Sequence, residues 1–331
     1  MKSIYTNSYE TILSIGSLKN HLNLTNSFYI IDDYFKEKVS DNNQIYWFHA
    51  LEGNKSLRIA EEILQQMIVK NIKRSDTIIA IGGGITLDIA AFCASIYKRG
   101  CRLCLIPTTI IAMIDASIGG KTSLNLNFLK NQVGTFYPAE EVIIDFTLLK
   151  TLSDVDIKNG FSELIKIMII KERSFFEHDF NKIEHNFQEY LFKAIKYKIE
   201  ITEEDMTDKG YRQVLNLGHT FAHLIETASR NTISHGEAVA KGLYLAIMLS
   251  YKKGLLSYLN SEKILSYLKR FCHNYLLYPE LINEIKKSGS NILLADKKSS
   301  EKVKLVLIND ISTQFYHIDD VDYLIHTIVN L

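Results

Sequence analysis

The sequence predicts an α/β domain in residues 1–150, followed by a mainly α-helical domain in residues 151–331. Short apolar runs alternate with amphipathic stretches before residue 150, whereas helical periodicity dominates after it. Such alternation is typical of a mostly parallel sheet covered by helices. The length of 331 residues also fits two domains.

Five apolar runs in the first domain predict strands, because polar residues bound them and several are rich in β-branched side chains. They cover residues 11–15, 28–31, 77–81, 102–106 and 142–145. An amphipathic helix is predicted around residues 57–68, with Asn54 as a candidate N-cap. A second helix is predicted at residues 85–97.

Helices in the second domain are predicted from a repeat of apolar residues at three and four positions. They cover residues 160–170, 190–205, 214–228 and 237–255, and a strand pair is predicted around residues 303–308. In the last helix, Ala238, Gly242 and Ala246 recur every four residues, so another helix can approach closely there.

Composition and charge exclude several classes of protein. The chain has 38 basic and 38 acidic residues, so its net charge of zero argues against a nucleic-acid partner. No window approaches the ~18 apolar residues of a membrane helix, and the N-terminus lacks a signal-peptide pattern. Four cysteines are too few for a disulfide framework, and Cys101 and Cys104 are expected to face a core. We therefore expect a cytoplasmic protein without a membrane partner.

Three consecutive glycines, Gly82, Gly83 and Gly84, join a predicted strand to a predicted helix. Glycine lets the backbone approach a ligand closely, and a helix N-terminus offers free N–H groups and a positive dipole end. The turn therefore favours a pyrophosphate group, although it is not the G-x-G-x-x-G fingerprint. A tight turn that needs positive φ is the alternative.

Four side chains are candidate metal ligands: Glu163, His219, His223 and His235. His219 and His223 lie four residues apart on one predicted helix face, and His235 precedes another helix. Imidazoles with a carboxylate are typical ligands of catalytic zinc. A chance histidine spacing and a surface ion pair between Glu163 and Lys166 are the alternatives.

Nine motifs in register, within residues 9–310, resemble the 3-dehydroquinate synthase family. They lie at residues 82–88, 97–100, 107–109, 115–122, 130–131, 163–166, 212–223, 234–240 and 296–298. The resemblance implies a Rossmann-like NAD-binding domain and a mainly helical domain that binds metal and substrate. Two positions depart from the family pattern, since Leu87 replaces a usual glycine and Asp208 replaces a usual glutamate.

The resemblance also implies the reaction of a phosphate-eliminating lyase of the shikimate pathway, which serves aromatic amino acid biosynthesis. The family converts 3-deoxy-D-arabino-heptulosonate 7-phosphate, a phosphorylated sugar acid, to 3-dehydroquinate and phosphate. It does so by transient oxidation with NAD, β-elimination, re-reduction and aldol closure on Zn²⁺ or Co²⁺. A homodimer is implied, in which Arg99 reaches the neighbouring subunit's site. Another sugar phosphate cyclase and a metal-dependent NAD polyol dehydrogenase are the alternatives.

The resemblance assigns roles to individual residues. The metal ligands are Glu163, His219 and His235, which leaves His223 as a substrate contact. The catalytic and substrate-binding residues are Arg99, Asp115, Lys121, Lys130, Asn131, Lys166, Lys198, Asp208, Arg212, Asn216, His223 and Lys297. The NAD-binding residues are Asp32, Glu52, Lys55, Gly82, Gly83, Gly84, Asp88, Thr108, Thr109, Lys121, Lys130, Leu148 and Thr151.

The resemblance places Lys198 and Arg212 among the substrate contacts, and two cations there imply a substrate that carries a carboxylate. A cyclase for a neutral sugar phosphate would leave these two cations without an anionic partner, at a cost of several kcal/mol if they are buried. A guanidinium can instead bind a carboxylate through two parallel hydrogen bonds. The alternative is that both side chains are exposed on amphipathic helices.

Overall fold

The computed structural model describes residues 3–5, 12–15, 18, 22, 24–40, 44–127, 129–272, 274–295 and 303–331. The chain divides into two compact units. Unit 1 contains Met1–Leu152 and Lys198–Thr207, and unit 2 contains Ser153–Tyr197 and Asp208–Leu331. The two-domain prediction did not anticipate that a short segment near residue 200 packs with the first unit.

Unit 1 is an α/β structure, as predicted. Its strands are β1 (Ser3–Tyr5), β2 (Ile12–Ile15), β3 (Ser27–Asp32), β4 (Ile45–Phe48), β5 (Thr77–Gly82), β6 (Arg102–Pro107), β7 (Leu124–Leu126), β8 (Leu129–Val133) and β9 (Glu141–Ile144). Its helices are α1 (Leu57–Val69) and α2 (Gly84–Ile96). The N-cap of α1 is Ser56 rather than Asn54, because the Ser56 hydroxyl accepts a hydrogen bond from the Ile59 N–H.

Seven strands form one sheet in the order β1-β2-β9-β6-β5-β3-β4. All neighbouring pairs are parallel except β1 and β2. The carboxyl ends of β3, β5, β6 and β9 therefore meet at one edge, where ligands of open α/β sheets bind. Asp32 ends β3, and the three glycines and Thr108 follow at the ends of β5 and β6. The buried apolar core includes Ile31, Ile81, Ile106 and Ile143.

Unit 2 is mainly helical. Its helices are α3 (Asp154–Lys171), α4 (Phe180–His185), α5 (Phe187–Glu204, whose last residues belong to unit 1), α6 (His219–Ala228), α7 (His235–Lys252), α8 (Tyr258–Phe271), α9 (Pro279–Ala295) and α10 (Val321–Ile328). The predicted strand pair is the antiparallel hairpin β10 (Val303–Ile308) and β11 (Thr313–Ile318). Within the described ranges, no helix combines the length and apolar composition that crossing a membrane requires.

The start of α6 differs from the prediction. Helical periodicity begins at Val214, but residues Tyr211–Asn216 form a 3₁₀ helix, and α6 begins only at His219. Gly218 separates the two because its φ of 77° lies in the left-handed region, which ends regular helix and favours glycine. The backbone thus changes direction directly before His219.

A close contact between α6 and α7 confirms the expected role of Gly242. A Cβ atom added to Gly242 would lie 2.2 Å from the carbonyl oxygen of Gly218 and 2.9 Å from the Ala222 nitrogen. Both neighbours are backbone atoms and cannot move aside separately. The backbones of the two helices therefore meet next to His219.

We expect Gly242→Ala to lower the free energy of unfolding by about 1–3 kcal/mol, as overpacking does in other buried sites. Denaturation with urea measures this change. Gly53→Ala is the matched control, since its added Cβ would meet nothing within 4 Å. Equal stability of Gly242→Ala and the wild type would contradict the close packing of α6 on α7.

Candidate active site

Glu163, His219 and His235 lie together in unit 2. Glu163 is fully buried on α3, while the two histidines are the first residues of α6 and α7. Each histidine Nε2 lies 3.5 Å from Glu163 Oε1. The candidate ligand atoms of all three residues fall within 4.8 Å of one another. The structure thus brings together the carboxylate and imidazoles that the resemblance selects.

The outer ring nitrogens of both histidines have acceptors. His235 Nδ1 lies 3.3 Å from Glu226 Oε1, and His219 Nδ1 lies 3.4 Å from the Leu217 carbonyl oxygen. Histidines that bind metals usually donate their other ring N–H to such an acceptor. When Nδ1 donates in this way, Nε2 is the ring nitrogen left for a metal ion, and both Nε2 atoms lie on the side of Glu163. This donor set of two imidazoles and one carboxylate fits Zn²⁺ or Co²⁺.

Lys166 is part of the same buried cluster. Its Nζ lies 2.6 Å from Glu163 Oε2, and neither side chain is exposed to solvent. The alternative of a surface ion pair on α3 is therefore wrong. The carboxylate has Lys166 at one oxygen and the two histidines at the other, so it is held in a fixed position.

The two histidines differ in their electrostatic environment. Burial, together with the nearby Lys166 ammonium, lowers the pKa of His219 to about 3. Its imidazole is therefore neutral near pH 7, which is the form that binds metals. At His235, burial opposes the charged form, but hydrogen bonds to Glu163 and Glu226 outweigh it and raise the pKa to about 10.

His223 is exposed and does not belong to this group of ligand atoms. Its ring centroid lies 5.9 Å from that of His219, one turn earlier on α6. Glu226, which contacts His235, was not among the residues predicted from the sequence. It lies seven residues after His219. Two helical turns place both on one face of α6, so this spacing was an available signal.

A second polar cluster lies in unit 1 and contains Lys55, Asp88, Ser123 and Asn131. The buried Lys55 Nζ lies 2.5 Å from Asp88 Oδ2 and donates a hydrogen bond to Asn131 Oδ1 at 2.7 Å. The Ser123 hydroxyl lies 2.9 Å from Asp88 Oδ2. Burial raises the pKa of Asp88, and the Lys55 ammonium opposes that shift. Lys55 and Ser123 thus each contact both Asp88 and Asn131.

Asn125 links the hairpin β7–β8 to Glu52. Its amide donates to Glu52 Oε1 at 2.7 Å, and its Oδ1 accepts from the Asn131 N–H at 3.0 Å. Sequence reasoning missed both Asn125 and Ser123. They lie in or beside a short irregular hairpin, where apolar periodicity gives no signal. Their contacts fix the hairpin beside the Lys55–Asp88 pair.

The three glycines of the βα turn have different roles. None of them has positive φ, so the alternative of a turn that needs positive φ is wrong. A Cβ at Gly82 would lie 2.6 Å from Thr86 Cβ, whereas Cβ atoms at Gly83 and Gly84 would find ordinary contacts at 3.4 Å. Packing therefore requires Gly82 to be small. Gly83 and Gly84 stand at the start of α2, whose free N–H groups fit a pyrophosphate group.

Lys198 and Arg212 are both buried, so the alternative that they are exposed on helices is wrong. Lys198 forms a short ion pair with Asp115, another residue of unit 1. The premise that Lys198 is unpaired without a substrate carboxylate is therefore wrong. Arg212 belongs to unit 2, on the 3₁₀ helix before α6.

The remaining predicted residues differ in exposure. Arg99, Lys121 and Asn216 are exposed; Asp32, Lys130, Thr109, Thr151 and Asp208 are partly buried; and Thr108 and Leu148 are buried. Lys297 lies outside the described residues. Asp32 Oδ1 accepts from the Tyr34 N–H at 3.1 Å, and the Thr151 hydroxyl donates to the Leu148 carbonyl at 2.6 Å.

Comparison with known proteins identifies the family. Residues 45–159 match the family described as 3-dehydroquinate synthase N-terminal, and residues 160–299 match 3-dehydroquinate synthase C-terminal. A relative named 3-dehydroquinate synthase from Campylobacter concisus (strain 13826) is 38% identical, over 76% of this chain and 77% of the relative. One from Campylobacter curvus (strain 525.92) is 35% identical, over 88% and 82%. The chain belongs to the 3-dehydroquinate synthase family.

Solved structures show the same fold at lower sequence identity. A 2-epi-5-epi-valiolone synthase from Streptomyces hygroscopicus subsp. jinggangensis 5008, with NAD⁺ and Zn²⁺ bound, has a TM-score of 0.81 at 23% identity, covering 100% of this chain and 98% of that one. A 2-deoxy-scyllo-inosose synthase complexed with carbaglucose-6-phosphate, NAD⁺ and Co²⁺ has a TM-score of 0.81 at 21% identity, covering 99% of both chains. The α/β fold with a helical second unit is confirmed.

Proposed function

We infer that this protein is a 3-dehydroquinate synthase, which converts 3-deoxy-D-arabino-heptulosonate 7-phosphate to 3-dehydroquinate and phosphate. The observation that carries this inference is the buried group of Glu163, His219 and His235 in a chain of this family. The two relatives of that name described above are 38% and 35% identical, whereas the two structures of other cyclases are 23% and 21% identical. The sister cyclases and the polyol dehydrogenase are therefore the less supported alternatives.

Glu163, His219 and His235 would hold one divalent ion, Zn²⁺ or Co²⁺. When bound, NAD supplies a reversible hydride acceptor, and the ion supplies a Lewis acid for the substrate oxygens. Lys166 fixes the second carboxylate oxygen of Glu163 and so keeps its first oxygen directed at the histidines. We also assign the Lys166 ammonium group a contact with an anionic oxygen of the substrate.

NAD would bind at the carboxyl edge of the sheet in unit 1. The free N–H groups at the start of α2 would receive the pyrophosphate, beside Gly83 and Gly84. Carboxylates of Asp32 and Glu52 would accept hydrogen bonds from ribose hydroxyls. We assign the other cofactor contacts to Lys55, Asp88, Thr108, Thr109, Lys121, Lys130, Leu148 and Thr151.

Arg212 would bind the substrate carboxylate with its guanidinium group. Its burial supports this role, because a buried guanidinium is stabilised by a carboxylate that accepts two of its hydrogen bonds. Further substrate contacts are assigned to Asp115, Asn131, Lys166, Lys198, Asp208, Asn216, His223 and Lys297. Because Lys198 is paired with Asp115, its burial gives no separate argument for a substrate carboxylate.

We also propose a cytoplasmic homodimer in which Arg99 contributes to the partner's substrate site. Arg99 is exposed and ends the 3₁₀ turn Tyr97–Arg99, so its side chain is accessible to a partner. We propose no nucleic-acid or membrane partner for this protein. Sedimentation analysis of the purified protein measures the oligomeric state.

The reaction itself is tested by incubating the protein with the heptulosonate phosphate, NAD and Zn²⁺. We expect release of phosphate without net formation of NADH, since NAD is regenerated in each turnover. Gly83→Val should lose this activity, because its branched side chain would occupy the pyrophosphate position while its Cβ still fits. Accumulation of NADH in proportion to product would instead identify a polyol dehydrogenase.

Removal of the metal should abolish turnover, and added Zn²⁺ or Co²⁺ should restore it. His235→Ala should lose the restored activity, since it removes one of the three ligands. The matched control is His326→Ala, which changes an exposed histidine on α10. Full activity of His235→Ala after exhaustive chelation would refute the metal site.

Arg212→Lys should lower kcat/KM for the heptulosonate phosphate. The loss corresponds to about 1.5–3 kcal/mol of transition-state binding energy, because the substitution keeps the charge but loses the paired hydrogen bonds. Steady-state kinetics measure the change. Arg270→Lys is the control, since this arginine forms an exposed pair with Glu184. Unchanged kinetics of Arg212→Ala, or comparable turnover of glucose 6-phosphate or sedoheptulose 7-phosphate, would contradict a carboxylate-bearing substrate.

A further inference from the structure

Glu226 is a buried carboxylate on α6 that is not one of the three proposed ligands. Its residue surface is 2% exposed, and its Oε1 lies 3.3 Å from His235 Nδ1. A buried carboxylate destabilises a fold unless hydrogen bonds or a cation compensate for the loss of water. Its contact with a proposed metal ligand therefore suggests a role beyond packing.

The position of Glu226 follows from the geometry of α6. It lies seven residues after His219, so both side chains leave the same face of the helix. His235 is the first residue of the neighbouring helix α7, and its ring contacts Glu226 on this face of α6. When Nδ1–H donates to Glu226, the lone pair of His235 lies on Nε2, which is 3.5 Å from Glu163 Oε1.

The two histidines are positioned by different means. The outer nitrogen of His219 faces the Leu217 carbonyl oxygen, which belongs to the backbone and is unaffected by side-chain substitution. The side chain of His219 is 13% exposed, whereas that of His235 is 34% exposed. Packing therefore restrains the His235 ring less, and the acceptor at its outer nitrogen belongs to a side chain, that of Glu226.

We propose that Glu226 is a positioning residue that fixes the tautomer and ring orientation of His235 for a divalent metal ion. Its negative charge also favours the cation and makes the imidazole a stronger donor. The inference rests on the proposed function, because it assumes a metal ion at Glu163, His219 and His235. Glu226 itself does not contact the ion.

The test measures metal affinity without substrate or NAD. Bound metal is removed with a chelator from the full-length wild type, Glu226→Ala and Glu226→Gln. The Kd of each protein for Zn²⁺ is then measured by competition with a chromophoric chelator. We expect Glu226→Ala to bind Zn²⁺ about 10–100-fold more weakly. Glu226→Gln should fall between it and the wild type, since its amide oxygen accepts the hydrogen bond without the charge.

Glu172→Gln is the matched control. It also removes a largely buried carboxylate from unit 2, but this one contacts Lys193 and Tyr197 rather than a proposed ligand. Its Kd for Zn²⁺ should equal that of the wild type. Equal loss of affinity in Glu172→Gln and Glu226→Ala would overturn the inference, because it would show a general effect on stability.

Circular dichroism of the metal-free proteins separates loss of folding from loss of positioning. A folded Glu226→Ala with an unchanged Kd would overturn the inference. If Glu226→Ala does not fold, Glu226→Gln decides, and an unchanged Kd together with an unchanged Co²⁺ absorption spectrum would overturn it. A wild type that binds no metal would refute the proposed function and this inference together, whereas normal wild-type binding with unaffected variants refutes only the inference.

Discussion

The contacts of the fully buried Glu163 carboxylate with Lys166, His219 and His235 are the interactions that organise the candidate site in unit 2. A lone charge without solvent would be strongly destabilising, so its surroundings must supply compensating groups. Lys166 approaches one oxygen and the two histidines approach the other. Three helices meet at this point, because α6 and α7 each begin with one of these histidines and α3 carries the carboxylate.

The backbone around this carboxylate is as constrained as its side chains. Gly218 turns the chain into α6, and Gly242 lets α7 approach it without side chains between them. Unit 1 uses a similar principle at the carboxyl edge of its sheet. There, Lys55 and Asp88 neutralise each other beside the start of α2. In both units, polar groups that would be costly alone are held in compensated clusters.

The sequence predicted the sheet and most helices because their apolar periodicity is local. The glycine turn and the candidate metal ligands could also be picked out from the sequence, because residue type and spacing along the chain are visible without a structure. The return of residues 198–207 to unit 1 was not predictable, because it depends on contacts between segments distant in the chain. Glu226 was overlooked although its spacing from His219 places both on one face of α6, because the sequence does not show that this face is buried. Ser123 and Asn125 were missed because they lie where no periodicity exists.

A divalent ion at Glu163 can be located directly by anomalous X-ray diffraction from crystals of the protein grown with Zn²⁺, measured on both sides of the zinc absorption edge. We predict one strong anomalous peak within bonding distance of the Glu163 carboxylate, His219 Nε2 and His235 Nε2. The peak should be absent from crystals of His235→Ala prepared in the same way. No anomalous peak at these three residues, or a peak bound by other side chains, would contradict the assignment of this cluster as the metal site.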